Sequence, residues 1–193
     1  GLATALNEGL NACSYGIVAR ADSDDISEPD RFATLIPALI ESDCAVMGSA
    51  MYEVDAQNTT VEATRQTVTD ASRLADMMPS RNPLYHPTVA FYKDVVQRLG
   101  GYEYVPGAED WWLWSRVIAA GYKIGNVHEP LVRYRVGAGA YTRRGGLNAW
   151  KQDWAIQRRL YTGHTISKLG WIKNMSVRTA YRFIPESTRR KAF

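Results

Sequence analysis

Cysteine is scarce in this sequence: Cys13 and Cys44 are the only two among 193 residues. They show no metal-type spacing and are too few for a disulfide framework, so both read as plain core residues, in keeping with a reducing cytoplasm. Long apolar runs are missing as well. Arg, Lys or Asp interrupts every candidate short of the roughly 18 to 20 residues that span a bilayer, so no integral membrane helix is expected. The chain starts at Gly1 without an initiator Met or an N-terminal signal, reads as helix from its first residues, and is therefore expected to be a fragment. There is no internal repeat and no low-complexity segment. Gly145-Gly146 after Arg143-Arg144 makes no phosphate loop, for want of a preceding strand and a following Lys-Ser or Lys-Thr, and reads as a flexible turn.

What is present is ordinary in bulk and uneven in sign. With 46% apolar and 22% charged residues the composition is that of a soluble globular protein, and the length suits one domain plus an extension. A domain of roughly 150 residues buries about two-thirds of its unfolded surface, enough for a sizeable core. Net charge is only +3, yet residues 1–142 hold 11 Lys and Arg against 18 Asp and Glu, and residues 143–193 hold 12 against 2. Acidic chemistry and basic attachment are thus expected in different parts of the chain.

A helical stripe of Leu2, Ala5, Leu6, Leu10 and Ala12 stops at Ser14-Tyr15-Gly16. Ile17-Val18-Ala19 then reads as a short buried strand running into Asp22-Ser23-Asp24-Asp25. A helix is predicted from about Pro29 to Ser42, and a strand from Ala45 to Val54. Asp70 caps a helix through Met78, and Val89 to Tyr92 is a strand. Asp110 to Ala120 is a helix stopped by Gly121, followed by two strands, Ile124 to Val127 and Leu131 to Val136. Two mostly helical segments broken near Gly163 fill the remainder. Strands alternating with helices predict an α/β fold with a mainly parallel sheet, whose ligand site lies beyond the carboxyl ends of the strands. The acidic cluster falls at such an end.

Three carboxylates within four residues repel one another, and a divalent cation relieves that repulsion. Magnesium and manganese take oxygen ligands and are commonly held by one or two carboxylates plus substrate phosphates, a role open to Asp22 and Asp24. The alternative is a solvated turn with a helix cap. Glu109-Asp110 stand at a helix start beside Trp111-Trp112-Leu113-Trp114, where capping and dipole stabilisation compete with a catalytic role.

Three segments resemble the family 2 glycosyltransferases, in the proper order. GLATALNEGLNACSYGIVARADSDDISEPDR, residues 1–31, resembles the helix and strand that lead into that family's Asp-Xaa-Asp motif. Asn82-Pro83-Leu84-Tyr85-His86-Pro87-Thr88-Val89 resembles its Asn-Pro-Xaa-Xaa-His-Pro-Thr-Val segment, and GGYEYVPGAEDWWLWSRVIAAGYKIGN its Gly-Gly-Tyr, Glu-Asp, Leu-Trp-Xaa-Arg sequence. The resemblance implies a GT-A (Rossmann-like) fold lacking its N-terminal strands. It divides the chain into a partial catalytic domain over residues 1–142 and a basic helical extension over 143–193.

The same resemblance implies Mn2+ or Mg2+ at Asp24 and Asp22, with the donor ribose as the alternative for Asp22 and with Asp25 as their neighbour. Arg20 and Arg31 either hold phosphate or support the loop. Asn7 either touches the donor base or anchors a loop. Asp110 is implied as the general base and Glu109 as a residue orienting the acceptor. Trp111 or Trp112 is implied as a sugar platform, with Leu113 and Trp114 in the core. His86 and Thr88 either touch phosphate or acceptor oxygens or belong to a rigid turn set by Pro83 and Pro87. His128 either completes a metal shell or is a packed or exposed strand-end residue.

The implied function is inverting transfer of a sugar from a nucleotide-diphosphate sugar, with a UDP-sugar favoured, to a carbohydrate or lipid-linked glycan acceptor in surface polysaccharide or glycoconjugate biosynthesis. The family's Pro-Xaa-Tyr-Asn-like start and Asp-Asp-Gly-Ser-like loop, which receive the nucleotide base, are missing from the chain. A noncatalytic sugar-binding fragment is therefore the alternative. In the tail, Ile166, Leu169, Ile172, Met175, Ala180, Phe183 and Ile184 approximate one apolar face, with Lys168, Lys173, Arg178 and Arg182 around it. Such a helix either packs on the catalytic domain or lies on an anionic membrane, and the implied lipid-linked acceptor favours a peripheral place on the inner face of the cell membrane. A nucleic-acid partner is not expected, since the basic tail carries no recognised motif.

Overall fold

The computed structural model describes residues 1–57, 59–136 and 145–185. Along the chain come α1 (Leu2–Ala12), β1 (Ile17–Ala19), β2 (Ile26–Ser27), α2 (Arg31–Glu41), β3 (Cys44–Val54), β4 (Val61–Arg65) and α3 (Ala71–Met77). A 3-10 turn at His86–Thr88 leads into β5 (Ala90–Tyr92), α4 (Lys93–Arg98), α5 (Glu109–Ala119), β6 (Lys123–Arg135), α6 (Gly146–Thr162) and α7 (Lys168–Phe183). The expected boundary between residues 142 and 143 lies outside the described residues.

The strands join one sheet in the order β1-β5-β3-β6-β2, with β4 also paired to β3. The α/β fold with flanking helices is as expected, but the sheet is mixed rather than mainly parallel. The long β3–β6 ladder is parallel, whereas β1–β5, β3–β5, β3–β4 and β2–β6 are antiparallel. Alternation of strand and helix does not force parallel pairing when a short connection turns the chain back, as between β3 and β4. β3 is buried almost throughout, as a central strand covered on both faces must be.

Two strands were predicted where β6 runs as one. Pro130 has no amide hydrogen to donate, and the ladder absorbs it by slipping register: Ser49 pairs with Val127, and Ala50 with Pro130. Asp70 caps α3 as expected, its carboxylate accepting from the amides of Ser72 at 2.9 Å and Arg73 at 3.3 Å. α4 had no predicted counterpart, because six residues carrying the buried pair Val95 and Val96 are too short to show a period.

The larger core cluster gathers around α5, where Trp114 and Leu113 are fully buried. Ile156, Leu160 and Ile166 carry the α6–α7 pair into the same cluster. Gly163 is needed at that contact, since a Cβ there would lie 2.8 Å from the Trp112 ring. Trp154 ties the two helices together, stacked on Trp150 at 5.6 Å and edge-on to Trp171 at 5.1 Å. The inward face of α7 differs from the predicted one. Arg178 and Arg182 turn inward to the buried Asp153, while Leu169, Ile172 and Phe183 are exposed. A lone buried carboxylate costs more than an exposed leucine, and that difference sets the rotation of the helix. Among the described residues no helix is long and apolar enough to cross a membrane.

Candidate active site

The loop after β1 is built around two arginines. Arg20 grips Asp22, with Nε and Nη2 each 2.6 Å from Oδ1. Arg31 is almost wholly buried and donates to Ser27 Oγ at 2.9 Å and to the carbonyls of Arg20 and Pro87 at 2.7 and 3.0 Å. It thereby ties the acidic loop to the His86 turn. Asp25 accepts from the Arg135 amide at 3.0 Å through Oδ1, while its Oδ2 is buried without a hydrogen bond. Burial raises its pKa to about 6, the charges of Asp22 and Asp24 add to that shift, and the Arg135 amide opposes it. Asp24 is exposed at the tip.

Glu109 and Asp110 open α5. Asp110 accepts from Asn82 Nδ2 at 2.6 Å. Burial pushes its carboxyl above the ordinary range, against the Trp111 amide and Asn82, which favour the ionised form. Glu109 is likewise raised by burial and by the adjacent charge of Asp110. Facing them, Tyr102 shares its hydroxyl with His86 Nε2 at 3.0 Å. Burial pushes the phenol up, and Asp110 adds to that. Burial and the Arg20 charge push His86 down to about 3, so its ring is neutral at neutral pH.

These mutual influences place the groups in one neighbourhood. Tyr102 feels the charges of Asp110, Arg20, Glu109 and Asp22, His86 feels Arg20 and Asp22, and both carboxylates of α5 feel Arg20. Two sequence motifs about 85 residues apart thus meet across the Arg20–Tyr102–His86 cluster.

Other predicted residues lie elsewhere. Asn7 is spent on the backbone of Tyr102, donating to its carbonyl and accepting from its amide, both at 2.8 Å, so it anchors a loop and is not open to a donor base. Gly101, at φ +70, makes room for it, since a Cβ there would sit 2.4 Å from Asn7 Oδ1. Thr88 is fully buried, accepting from the Ser49 amide and donating to the Tyr85 carbonyl, and belongs to the rigid-turn reading. Trp111 and Trp112 are buried, with indole N–H groups on the Met78 carbonyl and Glu103. Arg178 covers the Trp111 ring at 4.9 Å, and Arg116 and Arg159 approach Trp112, so neither ring is an open sugar platform. His128 is exposed beside Glu129. Tyr102 and Asn82 had no predicted role, although both fall within the family-like segments; the signal was the motif itself, unread at those two positions.

Among the described residues no group of three or more His, Cys, Asp or Glu could by itself hold a metal ion. Asp22 and Asp24 offer two hard oxygen donors, which suits Mg2+ or Mn2+ only when phosphate or water completes the shell. The unsatisfied buried Arg20 Nη1 and Asp25 Oδ2 leave a donor and a negative charge for such a ligand and cation to meet. The residues therefore fit the group.

The mixed sheet flanked by helices is a fold shared with solved glycosyltransferases of the GT-A class. A mannosyltransferase from Pyrobaculum calidifontis, solved in complex with GDP-Man and Mn2+, superposes with TM-score 0.57 at 16% identity over 96% of this chain and 50% of its own. Residues 1–100 match the profile of glycosyl transferase family 2, and the chain belongs to that family. An uncharacterized glycosyltransferase of Haemophilus influenzae is 34% identical over all of this chain and 72% of its own length. The Escherichia coli UDP-Gal:alpha-D-GlcNAc-diphosphoundecaprenol beta-1,3-galactosyltransferase is 32% identical over 98% of this chain and 69% of its own. The chain thus spans about seven-tenths of those relatives and half of the solved chain.

Proposed function

We propose that the chain carries the acceptor side of an inverting glycosyltransferase that moves a sugar from a nucleotide-diphosphate sugar, a UDP-sugar by preference, to a hydroxyl of a lipid-linked glycan in surface polysaccharide assembly. The observation that carries this reading is that Asp22 and Asp110 both lie near Tyr102 and Arg20. Asp110 is the base that takes the proton from the acceptor hydroxyl, with attack on the face of the sugar opposite the departing diphosphate. A carboxylate is a weak base toward an alcohol, so burial that raises its pKa helps, and correct placement supplies most of the acceleration. Asn82 orients the carboxylate and the neutral His86–Tyr102 pair offers hydrogen bonds to acceptor oxygens. Glu109 lines the acceptor side.

Asp24 and Asp22 would hold Mn2+ or Mg2+, which supplies Lewis-acid neutralisation of the leaving diphosphate. Arg20 contributes a fixed positive charge there. The names of two similar proteins support the substrate classes, one with GDP-Man and Mn2+ and one for a diphosphoundecaprenol acceptor. The outer face of α7, with Leu169, Ile172 and Phe183 flanked by Lys168 and Lys173, is the surface offered to an anionic membrane. Residues 1–142 form the catalytic part and 143–193 the extension in this reading. The experiment is transfer by the full-length enzyme from a panel of nucleotide-sugars to a diphosphate-linked acceptor with Mn2+, reading the anomeric configuration of the product. Retention of configuration sinks the inverting mechanism, and no transfer from any donor sinks the reading as a whole.

A further inference from the structure

The turn that carries Asn82 is held by the basic extension. Between the end of α3 and Asn82, the Pro79 carbonyl accepts from Asn174 Nδ2 of α7 at 2.6 Å and from Gln157 Nε2 of α6 at 3.4 Å, and the Ser80 carbonyl accepts from Arg178 Nη2 at 2.6 Å. Asn174 also donates to Gln157 Oε1 at 3.0 Å, and Gln157 is fully buried. A buried amide keeps its partners because leaving them unpaired is costly, so this pair fixes where the Pro79 carbonyl stands. Arg178 is itself held by the buried Asp153 and lies 4.9 Å over the Trp111 ring.

The same turn is tied to α5 at both of its ends. Trp111 Nε1 donates to the Met78 carbonyl at 2.9 Å, and Asn82 Nδ2 donates to Asp110 at 2.6 Å. Asn82 Oδ1 accepts from the Leu84 amide at 3.3 Å, which sets the side-chain amide so that its N–H groups face the carboxylate. A bonded route thus runs from α7 to Pro79, along the backbone to Asn82, and on to the carboxylate in the first turn of α5.

We infer that Asn174 is a positioning residue for Asp110: by gripping the Pro79 carbonyl it fixes the turn from which Asn82 orients that carboxylate, so the α6–α7 pair is a working part of the acceptor side. The inference deepens the transfer reading and rests on it for the consequence in turnover. Losing the grip lets the turn shift, which loosens the hydrogen bond from Asn82 and with it the preference of Asp110 for its ionised form.

The experiment uses the full-length enzyme and compares Asn174→Ala with Asn82→Ala, the double variant and Thr179→Val. Thr179 accepts from Trp150 Nε1 at 2.8 Å and so joins α7 to α6 without touching the turn, which makes its variant the control for general loosening of the helix pair. The Asp110 carboxyl is titrated by carbon NMR and identified by its absence in Asp110→Asn. In Asn174→Ala that titration, and the acid limb of kcat with it, should move to higher pH by less than in Asn82→Ala, while kcat falls about tenfold and donor KM stays within about twofold. Added to Asn82→Ala, the second substitution should change kcat by no more than about twofold, because both act on one hydrogen bond. Thr179→Val should leave the titration in place even where it lowers Tm. Asn174→Leu, which keeps the volume but has no proton to donate, replaces the alanine variant should that fail to fold. An Asp110 titration unmoved by loss of Asn174, full additivity with Asn82→Ala, or an equal movement in Thr179→Val overturns the inference. If the wild-type enzyme transfers to no acceptor, the transfer reading is what falls, and the titration alone decides: dependence on Asn174 sustains the positioning role, and independence overturns it.

Discussion

Asp22, Asp24 and Asp25 sit on a loop that leaves them short of partners, whereas Asp110 sits in the first turn of a helix with donors already aimed at it. Among the described residues Asp22 is ion-paired to Arg20, and Asp25, under the influence of the Arg135 charge, keeps one buried oxygen without a hydrogen bond. Burial leads the raised pKa of both Asp25 and Asp110; the charges of Asp22 and Asp24 add to it at Asp25, whereas no neighbouring carboxylate is among the leading causes at Asp110, where the Trp111 amide and Asn82 hold it back. The loop is therefore built to be completed by something else, and the helix start is complete as it stands. A group that must neutralise a variable ligand gains from the first arrangement; a group that must hold one orientation gains from the second.

The contrast breaks most visibly at Asp110. Asp110→Asn is isosteric and removes the base, so turnover should fall by about 10²–10⁴-fold while donor affinity stays within about twofold. Steady-state kinetics with donor binding measured separately checks this, and unchanged turnover removes Asp110 from the role. On the loop the pattern should invert. Asp24→Asn should raise the Mn2+ concentration needed for half-maximal activity by about tenfold or more, with most of kcat recovered at saturating cation. A loss of kcat that added cation does not restore would make the two regions alike and sink the distinction.

How legible this was depends on range. The helix–strand–acidic loop of α1, β1 and Asp22 to Asp25 could be read because period and charge are local signals. The Glu109-Asp110 helix start was local too. Asn7 and Tyr102 meet across 95 positions, and Asn82 and Asp110 across 28, so no window along the chain displays either pair. The sequence offers Trp111 or Trp112 to a sugar because an aromatic beside a carboxylate invites it; the burial of both is decided by α6 and α7 packing back onto α5. Asp153 was similarly invisible. As one of two acidic residues in a basic tail it reads as noise until Arg178 and Arg182 are seen closing on it, which turns the helix away from its predicted face.

A subtler sharpening comes from Asn82→Ala. Its donated hydrogen bond favours the ionised form of Asp110, so removing it raises the carboxyl pKa further. The base must be ionised to act, so the acid limb of the kcat profile should move to higher pH, a smaller effect than losing the carboxylate. A limb that stays fixed while kcat falls at every pH would assign Asn82 to placement alone.

The smallest effect tests the loop without any substrate. Asp25 has a folded-state pKa of about 6 against an ordinary 3.8, so the native protein holds this proton more tightly than the unfolded chain. Its stabilising contribution is complete below the unfolded value and is lost as pH rises through the folded one. Above that window ionised Asp25 costs the fold roughly 1–2 kcal/mol after solvent screening. Asp25→Asn keeps an oxygen for the Arg135 amide and removes the charge, so in chelator the variant should melt higher than wild type at neutral pH and match it in acid. A divalent cation held by Asp22 and Asp24 should narrow the neutral-pH gap, because its charge also offsets that of Asp25, which the wild type alone carries. Parallel melting curves across the whole pH range would mean that the loop carries no uncompensated charge, and that its exposed carboxylates are solvated like any others.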